Sequence, residues 1–392
     1  MTNIPSSERT HIGFFGTRNA GKSSLVNAVT NQNLSVVSEV KGTTTDPVNK
    51  AMELLPLGPV VIIDTPGLDD EGALGEMRVE RAKRVLAKTD IAVLVVDATV
   101  GLGQLDRELI EILDERKIPY IIAHNKSDLL ETIPCDGMYV SAKSGLGIEK
   151  LKKELAKLMP QKEKFIVADL IDKDDTVVLV TPIDEAAPKG RLILPQQLTL
   201  REVLDCNATA IVCQDTELER TLASLKSAPR LVITDSQVFG SVRKIVPESV
   251  PLTSFSILMA RYKGELESLI SGAALLKTLK DGDKVLISEG CTHHRQCNDI
   301  GTVKMPRWIE NFSKAKPDFR FTSGGEFPNS VKQYKLVVHC GGCMLNDKEM
   351  AHRTETCKRD GVPIVNYGIA IANMNGILKR SLEIFPDLAE KV

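Results

Sequence analysis

Near the end of the chain two thiols stand in Val338-His339-Cys340-Gly341-Gly342-Cys343-Met344, and a second donor cluster, Cys291-Thr292-His293-His294, lies upstream. Two cysteines separated by two glycines can turn both sulfurs toward one point, because glycine tolerates the backbone conformations that such a loop needs. Each cluster follows a short apolar run, Lys284-Val285-Leu286-Ile287-Ser288 or Lys335-Leu336-Val337-Val338, so each is expected where a buried strand ends. In an open parallel sheet, ligands collect beyond the carboxyl ends of the strands. Two such ends side by side bring together Cys291, Cys340 and Cys343, with His293 and His339 as further donors. Three thiolates with an open fourth position suit either an iron–sulfur cluster or a structural Cys3His zinc site. The remaining donors read more blandly. His294 and Cys297 could also be ligands but read as bystanders, Cys357 and His352 are helix positions away from the loop, and Cys135 lies in a loop. Cys206 and Cys213 flank apolar runs as buried structural thiols.

A different chemistry opens the chain. His11 to Phe15 reads as a strand, Gly16-Thr17-Arg18-Asn19-Ala20-Gly21-Lys22-Ser23 fits G-x-x-x-x-G-K-S, and Ser24 to Val29 reads as a helix. Strand, glycine loop and helix in that order make a P-loop, whose backbone N–H groups wrap phosphate oxygens at a helix N-terminus. Gly16, Asn19, Ala20, Gly21 and Ser24 are expected around the phosphates. Lys22 is expected on the β- and γ-phosphates, and Ser23 on Mg²⁺. The base is read further on. Pro119 to His124 is a strand ending in Asn125-Lys126-Ser127-Asp128, and the Asp128 carboxylate can accept N1–H and the 2-amino group of guanine together. Adenine offers neither donor there. Ser141-Ala142-Lys143, after the next strand, brings backbone N–H groups to the same base. Between these lie Gly42-Thr43-Thr44-Thr45-Asp46-Pro47, with Thr44 a hydroxyl for Mg²⁺, and Asp64-Thr65-Pro66-Gly67. Asp64 supports the Mg²⁺ shell, and the Gly67 N–H can hold the γ-phosphate and release it on hydrolysis to GDP.

These five elements resemble the translation-factor-like class of small GTPases over residues 11 to about 160. That resemblance implies two further features. Leu68 stands where Ras-like proteins carry the glutamine that orients water, so turnover is expected to be slow. Asn19 matches the position that holds a monovalent cation in related potassium-activated GTPases, where K⁺ supplies charge in place of an arginine finger. The alternative for Asn19 is an amide that merely stabilises the loop.

The elements that position these groups are α/β throughout. At 392 residues the chain is too long for one core. Lys plus Arg number 50 and Asp plus Glu 52, so no overall charge draws it to nucleic acid or anionic lipid. No apolar run approaches a membrane span and the start is polar, so a cytoplasmic protein without membrane or nucleic-acid partners is expected. Eight cysteines in such a compartment are ligands or buried residues, not a disulfide scaffold. No internal repeat is visible. The helix Glu149 to Met159, closed by Pro160-Gln161-Lys162, marks a first boundary. Strands at 176–180, 208–212 and 230–234, with helices at 197–205 and 217–227, predict a small parallel α/β domain without catalytic residues. A long helix is expected over 256–279. Strands at 284–288, 335–339 and 362–366, with helices at 346–359 and 369–384, then make a doubly wound unit carrying the cysteines. The expected domains are residues 1–162, 163–262 and 263–392.

A GTPase domain, a chemically silent α/β domain and a C-x-H…H-C-x-x-C domain, in that order, resemble the HydF family of FeFe-hydrogenase maturation GTPases over nearly the whole chain. The likeness rests on Cys291-Thr292-His293 and His339-Cys340-Gly341-Gly342-Cys343. Gly42 to Pro47, Ala187-Pro188-Lys189-Gly190-Arg191 and Leu231-Val232-Ile233-Thr234-Asp235-Ser236 support it. The resemblance implies a scaffold or carrier with a 4Fe–4S cluster on Cys291, Cys340 and Cys343. The fourth ligand stays open between His339, His293 and an exchangeable group. It also implies a transient two-iron precursor received from two radical-SAM maturases and delivered to apo-FeFe-hydrogenase, and a homodimer formed through the middle domain. Two other readings are a ribosome- or tRNA-maturation GTPase with a zinc appendage, and a binding module stapled by a structural metal.

Overall fold

The first described strand, β1 (Thr10–Phe15), feeds through loop 16–21 into α1 (Lys22–Thr30) in a computed structural model that describes residues 5–31, 48–65, 85–159, 164–183, 192–264, 266–290 and 299–392. β2 (Val48–Leu54) and β3 (Gly58–Asp64) form an antiparallel hairpin. β4 (Ile91–Asp97), α2 (Gln104–Glu115), β5 (Tyr120–Asn125), β6 (Met138–Tyr139) and α3 (Ile148–Lys157) follow. The sheet order is β2-β3-β1-β4-β5-β6, parallel except for β2. β4 is apolar from Ile91 to Val96 and buried along that whole run, as a parallel strand covered on both faces must be. Successive side chains divide between those faces. Ile91, Val93 and Val95 join Ile12, Phe14 and the helices α1 and α3, while Ala92, Leu94 and Val96 join Phe15 and α2. These residues belong to one compact unit, Met1–Lys162.

The second unit, Glu163–Val392, holds two four-stranded parallel sheets. The first contains β7 (Thr176–Val180), α4 (Leu194–Asp205), β8 (Thr209–Cys213), α5 (Leu218–Ala223), β9 (Leu231–Thr234), α6 (Phe239–Ile245) and β10 (Leu252–Ser254). After α7 (Phe255–Tyr262) and α8 (Leu266–Ala273) comes the second, with β11 (Lys284–Glu289), α9 (Met305–Ser313), β12 (Asp318–Ser323), β13 (Leu336–His339), α10 (Asp347–Asp360) and β14 (Ile364–Asn366). Helices α11 (Tyr367–Met374), α12 (Leu378–Ser381) and α13 (Pro386–Ala389) close the chain. The orders are β10-β9-β7-β8 and β12-β11-β13-β14. Counted along the chain, both follow the same path: the second strand flanks the first on one side, and the third and fourth build outward on the other. A repeat invisible in the residues is thus present in the topology. One apolar cluster runs from Val178 and Val232 to Val285, Val338 and Ile369, so the two sheets share a core.

Three expectations change. The helix expected over 256–279 breaks at Gly264, whose φ of 81° ends α7, and its last residues, Ala274–Thr278, form a 3₁₀ turn. The helix expected over 369–384 breaks likewise at Gly376, with φ of 65°. Each C-terminal sheet also gains a fourth strand. β10 spans only Leu252–Ser254, and β12 is an edge strand whose Arg320 and Phe321 are exposed, so neither carries a continuous apolar run. Among the described residues, no helix is long and apolar enough to cross a membrane.

Candidate nucleotide site and candidate metal centre

The P-loop occupies the crevice where the order of the first sheet reverses, between β1 and β4. Its glycines are sterically required. A Cβ on Gly16, at φ of 146°, would lie 2.2 Å from the Val95 carbonyl oxygen, and one on Gly21, at φ of 86°, would lie 2.3 Å from Asn125 Nδ2. The Lys22 ammonium donates to the Gly16 and Thr17 carbonyls at 2.9 and 2.8 Å, which holds it inside the loop. Ser23 Oγ donates to Asp64 Oδ2 at 3.0 Å. A hydroxyl and a carboxylate so close are two hard oxygen donors of the kind that Mg²⁺ takes, so this pair fits the ion. Ser24 lies half-buried in the first turn of α1. Asn19 has a left-handed backbone, φ 62°, and an exposed side chain.

The residues expected to read the base form one connected group. Asn125 Nδ2 donates to the Ala20 carbonyl at 2.9 Å and Asn125 Oδ1 accepts from Ala142 N–H at 3.0 Å, so a single amide joins the P-loop to the 141–143 loop. Ser141 Oγ donates to Asp128 Oδ1 at 2.6 Å and fixes the carboxylate. Lys143 is exposed beside them. Lys126 sits at φ of 64° and pairs with Asp97 Oδ2 at 2.6 Å. Partial burial raises the Asp97 pKa, but hydrogen bonds from Lys126 and Thr99 outweigh it and the net shift is downward. Sequence reasoning missed Asp97. Its signal was an acidic residue ending an otherwise apolar strand. Thr44 and Gly67 lie outside the described residues.

The cysteine loop occupies the equivalent crevice of the last sheet. The order β12-β11-β13-β14 reverses between β11 and β13, which pair in parallel with Ser288 opposite His339. Cys340 N–H continues the ladder to the Ser288 carbonyl at 2.9 Å. Cys340 Sγ accepts N–H bonds from Gly290 at 3.0 Å and from Gly342 at 3.4 Å, and Cys343 is also partly exposed. Two backbone donors on one sulfur favour the thiolate, the form that binds soft metals. Cys291, His293, His294 and Cys297 lie outside the described residues. Among the described residues, no group of three His, Cys, Asp or Glu side chains could hold a metal by itself. Gly290, which donates to Cys340, is the residue before Cys291 in the chain.

His339 differs from its expected availability as a ligand. It is wholly buried. Its Nδ1 meets the Cys340 carbonyl at 2.6 Å and its Nε2 meets Arg353 Nη1 at 2.9 Å. A carbonyl only accepts and a guanidinium only donates, so Nδ1 carries the proton, and as arranged here neither ring nitrogen is left for a metal. Burial first, then the adjacent guanidinium, push its pKa down to about 3 against the opposing bond to the Cys340 carbonyl. Tyr367 donates to Glu289 Oε1 at 3.3 Å, and burial with that carboxylate drives its pKa far up. Cys357 is buried on α10 as a packing residue. Cys206 and Cys213, expected to be buried, are only partly so, because they sit at the end of α4 and on the edge strand β8.

Comparison with known proteins finds three matching stretches. Residues 11–126 match a model described as 50S ribosome-binding GTPase, 166–264 the hydrogen maturase F dimerization domain, and 267–384 the hydrogen maturase F tetramerization domain. GTPase Der of Kosmotoga olearia is 32% identical over 183 residues, covering 41% of this chain and 39% of its own length. The tRNA modification GTPase MnmE of Nitrosospira multiformis is 34% identical over 158 residues, covering 38% of this chain and 34% of its own. The chain thus spans well under half of these curated relatives. Among solved structures, Era of Aquifex aeolicus bound to GDP·AlF₄⁻ aligns with a TM-score of 0.35 at 18% identity, over 52% of this chain and 92% of that one. Both C-terminal domains are thereby oligomerisation domains preceded by a P-loop GTPase domain. The two maturase-specific models together span more than half of the sequence, and the chain belongs to the hydrogenase maturase F family.

Proposed function

We propose that this chain is a GTP-hydrolysing scaffold and carrier in FeFe-hydrogenase maturation, with domains at 1–162, 163–262 and 263–392. The N-terminal domain binds GTP with Mg²⁺ and hydrolyses it slowly. Lys22 exchanges two neutral carbonyl partners for charged phosphate oxygens, Ser23 and Asp64 hold the ion, and Asp128 reads guanine. Asn19, exposed in the loop, supplies an amide oxygen for K⁺. Cys291, Cys340 and Cys343 hold a 4Fe–4S cluster. When bound, that group supplies a sulfur-rich landing point for the two-iron cargo, which comes from two radical-SAM maturases and goes to apo-hydrogenase. The protein's part is to present three thiolates and leave one position exchangeable. The observation that carries this reading is the Cys340 sulfur, which accepts two backbone N–H bonds at the switch point of the last sheet, one from the residue preceding Cys291.

The family and the two oligomerisation domains support assembly, with the homodimer forming through the middle domain. A second reading, a ribosome- or tRNA-maturation GTPase with a structural zinc, draws on the description of the N-terminal match and on the relatives MnmE and Der. The net charge of −2 weighs against an RNA partner. Anaerobic purification separates the two. The carrier is brown with iron and sulfide, whereas a colourless zinc protein refutes it. Cys340→Ser then loses the cluster's electron paramagnetic resonance signal while GTP hydrolysis continues, and Lys22→Ala loses hydrolysis while iron remains. A Cys340→Ser protein that keeps a full cluster and activates hydrogenase removes the basis of the proposal.

A further inference from the structure

Directly behind the cysteine loop, Arg353 is 1% exposed, the largest fully buried side chain among the described residues. A buried guanidinium costs several kcal/mol in desolvation unless its donors are met, so its partners indicate what holds it there. Nη2 donates to Glu349 Oε1, one turn earlier on α10, at 2.8 Å and to the Gly324 carbonyl at 2.6 Å. Nη1 donates to His339 Nε2 at 2.9 Å, with Ser288 Oγ further off at 3.4 Å. The Phe327 ring lies 5.2 Å from the guanidinium carbon. One side chain thereby joins the ends of three adjacent strands: Gly324 follows β12, Ser288 lies on β11 and His339 ends β13. A core built only for stability would favour apolar packing here, because a buried ion pair adds little to stability and Arg353 Nε has no hydrogen-bond partner among the described residues.

The bonds have a direction. Glu349 aims the guanidinium, the guanidinium makes His339 Nε2 an acceptor, and the proton is then confined to Nδ1, which holds the Cys340 carbonyl at 2.6 Å. That carbonyl belongs to the peptide leading into Gly341. We propose that Arg353 is a positioning residue of the cysteine loop. Through one fixed tautomer of His339 it orients Cys340 and Cys343 before any metal arrives, and it keeps the imidazole itself off the metal. The inference rests on the reading of these thiols as metal ligands and deepens it. His339 acts through the backbone, and Arg353 acts through His339.

The test uses the full chain and has one part that needs no metal. In protein labelled with ¹⁵N-histidine and not yet reconstituted, long-range ¹H–¹⁵N correlations should give the Nδ1–H tautomer for His339, assigned by its loss in His339→Ala. Arg353→Lys keeps the charge but not the fork and should lose that single tautomer. After anaerobic reconstitution with iron and sulfide, a ferrous chelator should strip Arg353→Lys about 10- to 100-fold faster than the parent, the usual scale for partners behind a metal ligand. Arg353→Lys combined with His339→Ala should be no worse than His339→Ala alone, because one acts through the other. If Arg353→Lys does not fold, Glu349→Gln loosens the same guanidinium and should raise the stripping rate in the same direction. An Nε2–H tautomer in the parent, additive effects in the double variant, or a strongly coupled ¹⁴N in the parent's pulsed paramagnetic resonance that vanishes in His339→Ala each overturns the proposal. A parent that takes up no iron–sulfur cluster refutes the carrier reading instead, and the tautomer measurement still decides the role of Arg353.

Discussion

Of the two glycines between Cys340 and Cys343, Gly342 should be irreplaceable and Gly341 dispensable. Gly342 has φ of 64°, and a Cβ there would lie 2.8 Å from Met350 Sδ and 3.3 Å from its Cγ. Met350 is itself 3% exposed, with little room to yield. Left-handed backbone costs an L-residue about 1–2 kcal/mol. Pressing a methyl group into a packed side chain adds about 1–3 kcal/mol, nearer the lower figure because methionine adapts. The sum for Gly342→Ala is about 2–4 kcal/mol. At about 2–4 °C per kcal/mol for a unit of this size, the thermal midpoint of the C-terminal unit should fall by about 5–15 °C. A Cβ on Gly341 meets nothing within 4 Å, and its φ is not left-handed. Gly341→Ala should stay within about 0.5 kcal/mol of the parent, with reduced freedom of the unfolded chain tending to stabilise it. Circular-dichroism melts of the two variants beside the parent decide the matter. Equal midpoints for the two variants, or a larger loss for Gly341→Ala, would refute the steric reasoning.

Replacing Asp128 with Asn presents a donor to guanine where an acceptor is needed, so GTP affinity should fall on the order of 10- to 100-fold while xanthosine triphosphate gains. Equal hydrolysis of GTP and ATP by the parent would contradict this. Turnover should rise when K⁺ replaces Na⁺, and Asn19→Ala should abolish the difference; equal rates in both salts would leave Asn19 as a loop residue. The folded-state pKa of Asp97 lies below its ordinary 3.8, so its pair with Lys126 contributes stability that is present above that value and lost as pH falls through the lower one. The stability gap between the parent and Lys126→Met, measured by urea unfolding, should therefore be widest near neutrality and close in strong acid. A gap that widens on acidification would reverse the sign.

Chemistry carried by neighbouring residues was legible before any fold was known. Gly16 to Ser23, Asn125 to Asp128 and Cys340 to Cys343 each hold their donors within a single turn or loop, so residue type and local backbone rules are enough to suggest a role. Continuous apolar runs such as Val177 to Val180 announced buried strands for the same reason. Short or amphipathic elements did not. β10 and the edge strand β12 depend on pairing with β9 and β11, which no local pattern records. Nor could glycine content tell where a predicted helix would stop. Gly264 and Gly376 break helices because their φ is positive, and that is set by what the chain must reach next.

Only the tertiary structure decided the partners. Asp97 meets Lys126 because β4 and β5 lie in register, with Asp97 opposite Asn125. His339 read from the sequence as a spare ligand. It proved to be occupied because α10 packs so that Arg353 faces β13, a relation between residues fourteen positions apart that depends on how the helix crosses the sheet. The convergence of Gly290 and Gly342 on one sulfur likewise requires β11 and β13 to be neighbours. The sequence therefore determined which chemistries the chain carries. The folded chain determined which donors remain available for them, because availability is a matter of who else lies within 3 Å.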